Sequence, residues 1–457
     1  MTDWTDEQNV FDPAHKPKNL RLLNIHLKAL GCRLNEAELE SWALEFQQGG
    51  HRLVNDVRDA DLTVLNTCAV TTEAVKKSRK LINRTRRENP TGKLVVSGCM
   101  VSTGETGSGA ELGIDMLVDN SEKSQLVQRV KRRWQIPIMP EGATLPNESA
   151  LFARNRQRAF IKIQDGCRYR CSYCIVTIAR GVEKSRGIDE ILTEINHLES
   201  QGVQEIVLTG VHVGGYGSDT GTDLYRLVTT ILENTSIPRI RFASVEPWDL
   251  GANFFSLFEN RRLMPHMHLP IQSGSDSVLK RMSRRCHTSE FSALLTHANN
   301  TVQGFNVTTD IIVGFPGETH DEWQQTLQFV SDTGFGHVHV FSYSARAGTK
   351  AATMADQIGA DIKTQRSKEL IQLTRAQREE FLRSQIGSES QVLWESTRDN
   401  HGQLVAYGYT ENYARVAIQV EDRYSVTNTI RTCVIGELDD SGQHLWATPK
   451  DRDTTGK

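Results

Sequence analysis

The 457-residue chain carries 53 basic and 56 acidic side chains, a formal net charge of −3, and 38% hydrophobic against 24% charged residues. This balance excludes a disordered chain, a collagen-like or disulfide-dense scaffold, and a protein that coats nucleic acid through overall charge; the length exceeds one compact core, so two to four domains are expected. No apolar run approaches the roughly 18 residues that cross a bilayer. Acidic Asp3, Asp6 and Glu7 stand where a signal peptide would be basic, so a cytoplasmic location is expected. In that reducing compartment eight cysteines suit metal ligation or thiol chemistry better than a disulfide framework.

The first unit, residues 20–134, alternates strand-like runs at 24–30, 61–66 and 93–98 with an amphipathic helix at 35–46 and a basic helix after Cys68. Such alternation predicts a small α/β domain with a parallel sheet. Pro137, Pro140 and Pro146 break all periodicity over 135–150, which reads as a linker. A second unit, 151–384, offers six strand candidates, at 159–164, 205–210, 239–244, 266–269, 307–315 and 337–341, with helices such as 188–200 and 320–332 between them. That is the pattern of a parallel barrel or partial barrel, in which ligands gather at the carboxyl ends of the strands. A long charged helix over Ile362–Gln385 leads to a third unit, 385–448, whose short runs at 390–396, 414–420 and 444–449 predict a small all-β module. The last residues are expected to fray.

Cys167, Cys171 and Cys174 sit in one short loop directly after the first strand of the second unit. A cubane iron–sulfur cluster normally takes four thiolates, so three leave one iron open to chelate a substrate or cofactor; a zinc site lacking its fourth ligand is the bland alternative. Cys32, Cys68 and Cys99 each end a predicted strand of the first unit. Parallel strands bring such ends together, so the three thiols predict a second cluster site, against zinc or three buried structural cysteines. Cys286 and Cys433 have no cysteine neighbours and read as packing residues.

The Cys-x3-Cys-x2-Cys loop, with the aromatic Tyr173 before its last cysteine, resembles that of the radical S-adenosylmethionine superfamily. The resemblance implies a partial six-fold β/α barrel and a 4Fe-4S cluster whose open iron is chelated by S-adenosylmethionine, yielding a 5'-deoxyadenosyl radical. It makes Tyr173 a cofactor contact and assigns Thr209 and Gly210 of the run at 208–210 to the methionine end, Ser244 and Glu246 to the ribose, and Ile312 and Gly314 to the adenine. A tight strand-to-helix turn is the alternative use of each glycine.

Taken in order, LGCRLNEAE, NTCAVT, SGCM, GCRYRCSYC, ARGVEKSRG, ASVEP, PIQSGSD, DIIVGFPGE, YSARAGTKA and GYTENY are similar to the methylthiotransferase family over nearly the whole chain. What that implies is an N-terminal domain holding an auxiliary 4Fe-4S cluster on Cys32, Cys68 and Cys99, the radical barrel, and a C-terminal RNA-binding β-barrel of the TRAM type. It further implies insertion of sulfur into an unactivated C–H bond and methyl transfer, at the expense of two S-adenosylmethionine molecules, with a reductant such as flavodoxin or ferredoxin. Of the family's substrates, the Arg33-Leu34-Asn35 run after the first cysteine and GYTENY point to threonylcarbamoyl-adenosine beside the anticodon of tRNA. Isopentenyl-adenosine in tRNA and an aspartate of a ribosomal protein are the alternatives. SGCM departs from the family in lacking the Ala-Gln that usually follows Cys99.

Lys76, Lys77, Arg79, Lys80, Arg84, Arg86 and Arg87 follow one another on the helix after Cys68 with no acidic residue among them, a surface suited to phosphates or simply to water. Lys280, Arg281, Arg284 and Arg285 form a shorter patch. Tyr407, Tyr409, Tyr413, Arg415 and Trp394 mix aromatic and basic side chains as single-stranded RNA platforms do, with core packing as the alternative. Arg346 and Asp310, near strand ends, are expected in the substrate or cofactor pocket. The rival from another class is a non-catalytic RNA-binding protein whose cysteines hold zinc.

Overall fold

The computed structural model describes residues 22–136, 151, 157–400 and 402–450; the expected linker, apart from Gln135 and Ile136, and the last seven residues lie outside them. In the first unit β1 (Asn24–Ala29), β2 (Arg52–Leu53), β3 (Leu62–Thr67), β4 (Lys93–Gly98) and β5 (Met116–Val118) form one sheet in the order β2-β1-β3-β4-β5. All its pairings are parallel. β3 is buried along its whole length, which is why LTVLNT reads as a continuous rather than an alternating run. Helices α1 (Arg33–Gln48), α2 (Thr72–Glu88), α3 (Cys99–Ser102) and α4 (Leu126–Trp134) cover the sheet. Trp42 and Phe46 of α1 and Val127 and Val130 of α4 pack on Ile25, Val64 and Val95.

The second unit is an open parallel barrel. β6 (Arg158–Lys162), β9 (Glu205–Thr209) and β10 (Arg239–Phe242) form one half, in the order β10-β9-β6, and β11 (His266–His268), β12 (Asn306–Val313) and β13 (His337–Ser342) the other. Single bridges, Ile240 to Leu263 and Ser244 to His268, join the halves. A small hairpin, β7 (Gln164–Asp165) with β8 (Lys184–Ser185), brackets the cysteine loop and α5 (Val176–Arg180). The layer of helices outside the strands includes α6 (Ile188–Ser200), α7 (Leu224–Asn234), α8 (Asp276–Arg281), α9 (Thr288–Thr301), α10 (His320–Thr333) and α11 (Ala360–Arg383). The six strands of this unit form two three-stranded sheets and not a closed barrel, and an unpaired edge invites wrong partners. Here α1 covers the edge: the Phe160 amide of β6 donates to Glu40 Oε2 at 2.9 Å.

The third unit is a closed five-stranded barrel of β14 (Glu389–Asn400), β15 (Gln403–Tyr409), β16 (Arg415–Val420), β17 (Ile430–Leu438) and β18 (Leu445–Pro449), in the order β14-β15-β16-β18-β17. Trp394 is fully buried in its core, so it belongs to packing and not to an RNA platform. Arg241 of β10 ties this barrel to the second unit, donating to the Glu411 carbonyl at 2.7 Å and the Thr410 carbonyl at 2.9 Å while its Nε bonds Glu205 at 2.9 Å.

Glu38 of α1 is the densest ionic contact between the first two units. Its carboxylate meets Lys123 at 2.5 Å, Arg180 at 2.9 Å and Lys162 at 3.4 Å, and accepts from Asn66 Nδ2 at 2.9 Å. Burial alone would raise its pKa, but Lys123, Arg180 and Lys162 outweigh burial and hold it well below the usual carboxylate range. The stabilisation is therefore present above the unfolded value of about 4.3 and is lost as pH falls through the depressed folded value. Glu38→Ala leaves Lys123 and Arg180 buried without their shared partner and is expected to cost about 3 kcal/mol. A lower urea midpoint and a shallower acid limb in a stability-versus-pH series are the measurements; an unchanged midpoint would refute the assignment.

Candidate active site

The loop after β7 brings its three sulfurs near enough for Cys171 and Cys174 to act electrostatically on Cys167. The Tyr169 amide donates to Cys167 Sγ and the Val176 amide to Cys174 Sγ, each at 3.4 Å, and Arg284 Nη1 lies 4.0 Å from Cys171 Sγ. Burial pushes the Cys167 thiol up to about 12 and Cys174 to about 11. Bare, these thiols keep their protons; iron binding displaces them, while the two amides and Arg284 favour the resulting thiolates. Three converging thiols with hydrogen-bond donors already directed at them fit a cubane cluster with one open iron.

Cys32, Cys68 and Cys99 come from three different strand-to-helix turns and converge as the parallel topology requires. Gly31, at φ +102°, makes this possible: a Cβ there would lie 2.6 Å from Cys68 Cβ. Cys32 is the N-cap of α1 and Cys99 opens α3. Asn120 Nδ2 lies 3.8 Å from Cys99 Sγ, and burial pushes the Cys68 thiol up to about 11. Cys32 is exposed to the lumen, and desolvation by the surrounding protein raises its thiol, opposed by Arg180. Met100 and Val101 follow Cys99 as the buried and half-buried side of α3, so the turn closes without the Ala-Gln of the family pattern.

Arg180, at the end of the five-residue α5 that begins two residues after Cys174, links the two cysteine sets. Its guanidinium donates to Asn35 Oδ1 at 2.8 Å, Glu38 Oε1 at 2.9 Å and Asp165 Oδ1 at 3.0 Å. Asn35 passes the contact on, donating to the Leu30 carbonyl at 2.6 Å and the Thr67 carbonyl at 3.2 Å, the residues that lead into the Cys32 and Cys68 turns. The sequence shows Arg180 only as part of a motif; its role is visible only once α1 lies on β6.

A cavity of about 460 Å³ occupies the barrel lumen. Inward-facing residues at two-residue spacing line it: His266 and His268 on β11, Asn306, Thr308 and Asp310 on β12, His337 and His339 on β13. Cys32 and Arg33 enter from the side that the missing strands leave open, and Tyr409, Tyr413 and Arg415 close the end facing the third unit. Tyr413 stacks on His266 and on Tyr409, with ring centroids 4.6 Å apart in both pairs, and its hydroxyl accepts from Arg158 at 3.0 Å. These tyrosines and Arg415 therefore face the lumen, not an outer RNA-binding surface.

Of the residues expected to hold S-adenosylmethionine, Thr209, Gly210 and Ser244 line the cavity. Tyr173 is packed edge-on against Phe315, 6.5 Å away. Glu246 leaves a buried carboxylate oxygen without a hydrogen bond, 3.8 Å from His212 Nε2, the kind of acceptor a ribose hydroxyl fills; burial raises its pKa. Beside it His212, which the sequence reading missed, is clamped between Glu183 at 2.9 Å and Asp249 at 2.6 Å. Burial disfavours its charge, but the Asp249 hydrogen bond and the surrounding carboxylates prevail and raise its pKa. Ile312 packs with Val278, Met282 and Phe315, and Gly314, at φ +71°, is covered by Lys363, whose Cγ would lie 2.2 Å from an added Cβ. That contact accounts for the glycine without an adenine.

The outer charges divide. Lys76, Lys77, Arg79, Lys80, Arg84 and Arg87 are exposed on α2, whereas Arg86 turns inward to pair with Asp115. Arg284 is held over Trp248, 4.2 Å from its ring, and Arg281 pairs with Glu322 at 2.7 Å, so the expected second basic patch dissolves into local contacts. Arg346 is buried on Glu105 at 2.5 Å and ties the barrel to the first unit instead of lining a pocket. Asp310 does line the cavity, 3.2 Å from His268 Nε2.

Two family models match the chain: the uncharacterized protein family UPF0004 over residues 24–118 and the radical SAM superfamily over 161–330. With the latter come a 4Fe-4S cluster and S-adenosylmethionine, which the loop of Cys167, Cys171 and Cys174 fits. Among solved structures, the radical S-adenosylmethionine methyltransferase TsrM from Kitasatospora setae shares the fold, with a TM-score of 0.53 at 14% identity over 73% of this chain and 77% of that one. The threonylcarbamoyladenosine tRNA methylthiotransferase MtaB of Bacillus subtilis is 33% identical over 87% of this chain and 91% of its own. That of Chlamydia pneumoniae is 34% identical over 91% and 96%. The tRNA-2-methylthio-N(6)-dimethylallyladenosine synthase of Desulfitobacterium hafniense is 32% identical over 86% and 91%. Similarity at this level along almost the full length of such relatives means that the chain belongs to the radical S-adenosylmethionine methylthiotransferase family.

Proposed function

We propose that this enzyme places a methylthio group on carbon 2 of threonylcarbamoyl-adenosine beside the anticodon of tRNA, in the cytoplasm. The observation that carries the proposal is the shared cavity: Cys32 of the first unit and the strand ends beside the radical loop border one lumen. A substrate seated there meets Cys32 directly, together with the strand-end residues Thr209, Gly210 and Ser244. In this reading Cys32, Cys68 and Cys99 hold a second 4Fe-4S cluster. When bound, the radical-loop cluster with S-adenosylmethionine supplies the radical that activates the aromatic C–H bond, and the second cluster supplies the sulfur that is methylated.

The lumen's chemistry supports the threonylcarbamoyl arm over the isopentenyl one. Its walls carry four histidines, Thr308, Asn306 and Asp310, all polar. An apolar isopentenyl group would leave the two buried wall atoms that lack a hydrogen bond, His266 Nδ1 and Asn306 Oδ1, unsatisfied, at about 1–3 kcal/mol each, whereas a urea, hydroxyl and carboxylate offer them partners. The exposed basic face of α2 suits the phosphates of an anticodon stem-loop, and a flavodoxin or ferredoxin supplies the electron. Residues 20–134, 151–384 and 385–448 divide the labour as cluster, radical and RNA-handling domains.

Nucleoside mass spectrometry of tRNA from a strain lacking the gene is expected to show loss of the 2-methylthio threonylcarbamoyl nucleoside alone. Loss of the isopentenyl derivative instead would assign the neighbouring substrate. Anaerobically purified wild-type protein is expected to hold about eight irons per chain and the Cys32, Cys68, Cys99 triple alanine variant about four, as two cubanes and one require. The variant should still form 5'-deoxyadenosine but no methylthiolated product; equal iron in both proteins would rule out the second cluster.

A further inference from the structure

The lumen is cationic in a chain whose formal net charge is −3. Three of its lining residues are arginines, one from each part of the fold: Arg33 at the start of α1, Arg378 on α11 and Arg415 on β16. Asp310 is its one acidic lining residue, and it is engaged by His268 at 3.2 Å. Arg33 forms no ion pair or hydrogen bond with any described residue. Arg378 donates to the Gln443 carbonyl at 3.2 Å and has no carboxylate partner, and Arg415 lies over the Tyr407 ring at 4.7 Å. The histidines do not explain the grouping, because they add no acceptor of charge: burial holds His266 well below its usual value, with Arg241 and Arg33 adding to the effect, and holds His337 at about 4. Arg33 and Arg378 both act on His339, so their charges converge on one stretch of the lumen. Guanidinium groups are rarely gathered in a confined space without an anion to justify the repulsion. His266 and Asn306, both nearly fully buried on the same wall, each leave a polar atom without a partner.

We propose that Arg33, with Arg378 and Arg415, forms an anion subsite in the lumen that binds the free carboxylate of the substrate's threonyl arm. The inference rests on the substrate reading above and names the residues that make it selective. A carboxylate at this point lets Arg33 donate two parallel hydrogen bonds, and it draws the N6 arm into the lumen so that the adenine remains at the mouth near the cysteine sets. A backbone phosphate is the other anion that an RNA could offer. The two sources separate on one substituent.

The test compares two synthetic anticodon stem-loops, one bearing threonylcarbamoyl-adenosine and one in which the threonine carboxylate is replaced by its amide. Binding is read by fluorescence anisotropy and turnover by product mass in the reconstituted holoenzyme. Wild type is expected to bind the acid form about tenfold more tightly than the amide, the size of one charge-assisted contact. Arg33→Gln is expected to bind both equally at the level of the amide, and Arg33→Lys to restore part of the difference. Iron content and absorbance near about 400 nm must match wild type in both variants, which separates loss of the subsite from damage to the neighbouring Cys32. Equal binding of acid and amide by wild type, or equal weakening of both stem-loops by Arg33→Gln, as a phosphate contact would give, overturns the subsite. Failure of wild type to methylthiolate the acid stem-loop while modifying an isopentenyl one overturns the substrate reading itself.

Discussion

The structure depends on one buried ionic contact, Arg180 with Glu38. Both side chains are almost fully buried, at 2% and 4% exposure, and each meets the other across the domain boundary while holding partners in its own domain, Lys123 and Asn66 for Glu38 and Asp165 for Arg180. Such a pair contributes little net stability, because desolvation offsets most of the attraction. Its value is geometric. A charge that pays heavily for any misplacement tolerates one docking geometry, and here that geometry brings the Cys32 and Cys68 turns beside the end of the radical loop. Asn35 extends the constraint to the backbone of both turns, so the first cysteine set is positioned by the second domain as much as by its own.

The same docking resolves the problem an open barrel creates. Six strands leave a lateral gap, and α1 occupies it, its Glu40 capping the edge strand and its first residue, Arg33, entering the lumen. The far end is closed by the third unit, held by Arg241 and Arg239 through main-chain carbonyls and by the Tyr409–Tyr413–His266 stack. The cavity is thus lined by all three units and is complete only when they are assembled. A fold whose loops alone built the site would place it at the barrel rim; here the lumen itself is functional space, because the lining residues on β11, β12 and β13 are polar where a stand-alone barrel core would be apolar.

Much of this was legible in the sequence, for identifiable reasons. Strand and helix runs in the first two units alternate with a period that local chemistry sets, and β3 and the long α11 appear where the pattern puts them, within two residues at the ends of α11. The cysteine sets were legible because spacing and strand-end placement are sequence properties. What was not legible depended on tertiary contact. Tyr409 and Tyr413 look like an exposed RNA platform in GYTENY, yet the second barrel buries one face of each. Arg284 and Arg346 look like surface or pocket cations, yet each is committed to a contact with a residue distant in sequence, Cys171 and Glu105. His212 carries no motif at all; only the convergence of Glu183 and Asp249 identifies it.

The two cysteine sets are bridged by the short helix that follows the radical loop. α5 spans five residues, which at 1.5 Å rise per residue is about 7.5 Å, and it runs from just beyond Cys174 to Arg180, whose guanidinium already touches the Asn35 that braces the Cys32 turn. Radical loop and first-domain turn are therefore joined through one short helix and one side chain. A substrate carbon that must meet a radical on one side and a sulfur on the other needs the distance between them to be both short and constant, because a displacement of an ångström is enough to lose a near-attack geometry. Domain docking through a buried charge pair, in place of a broad apolar interface free to slide, is the arrangement that supplies such constancy.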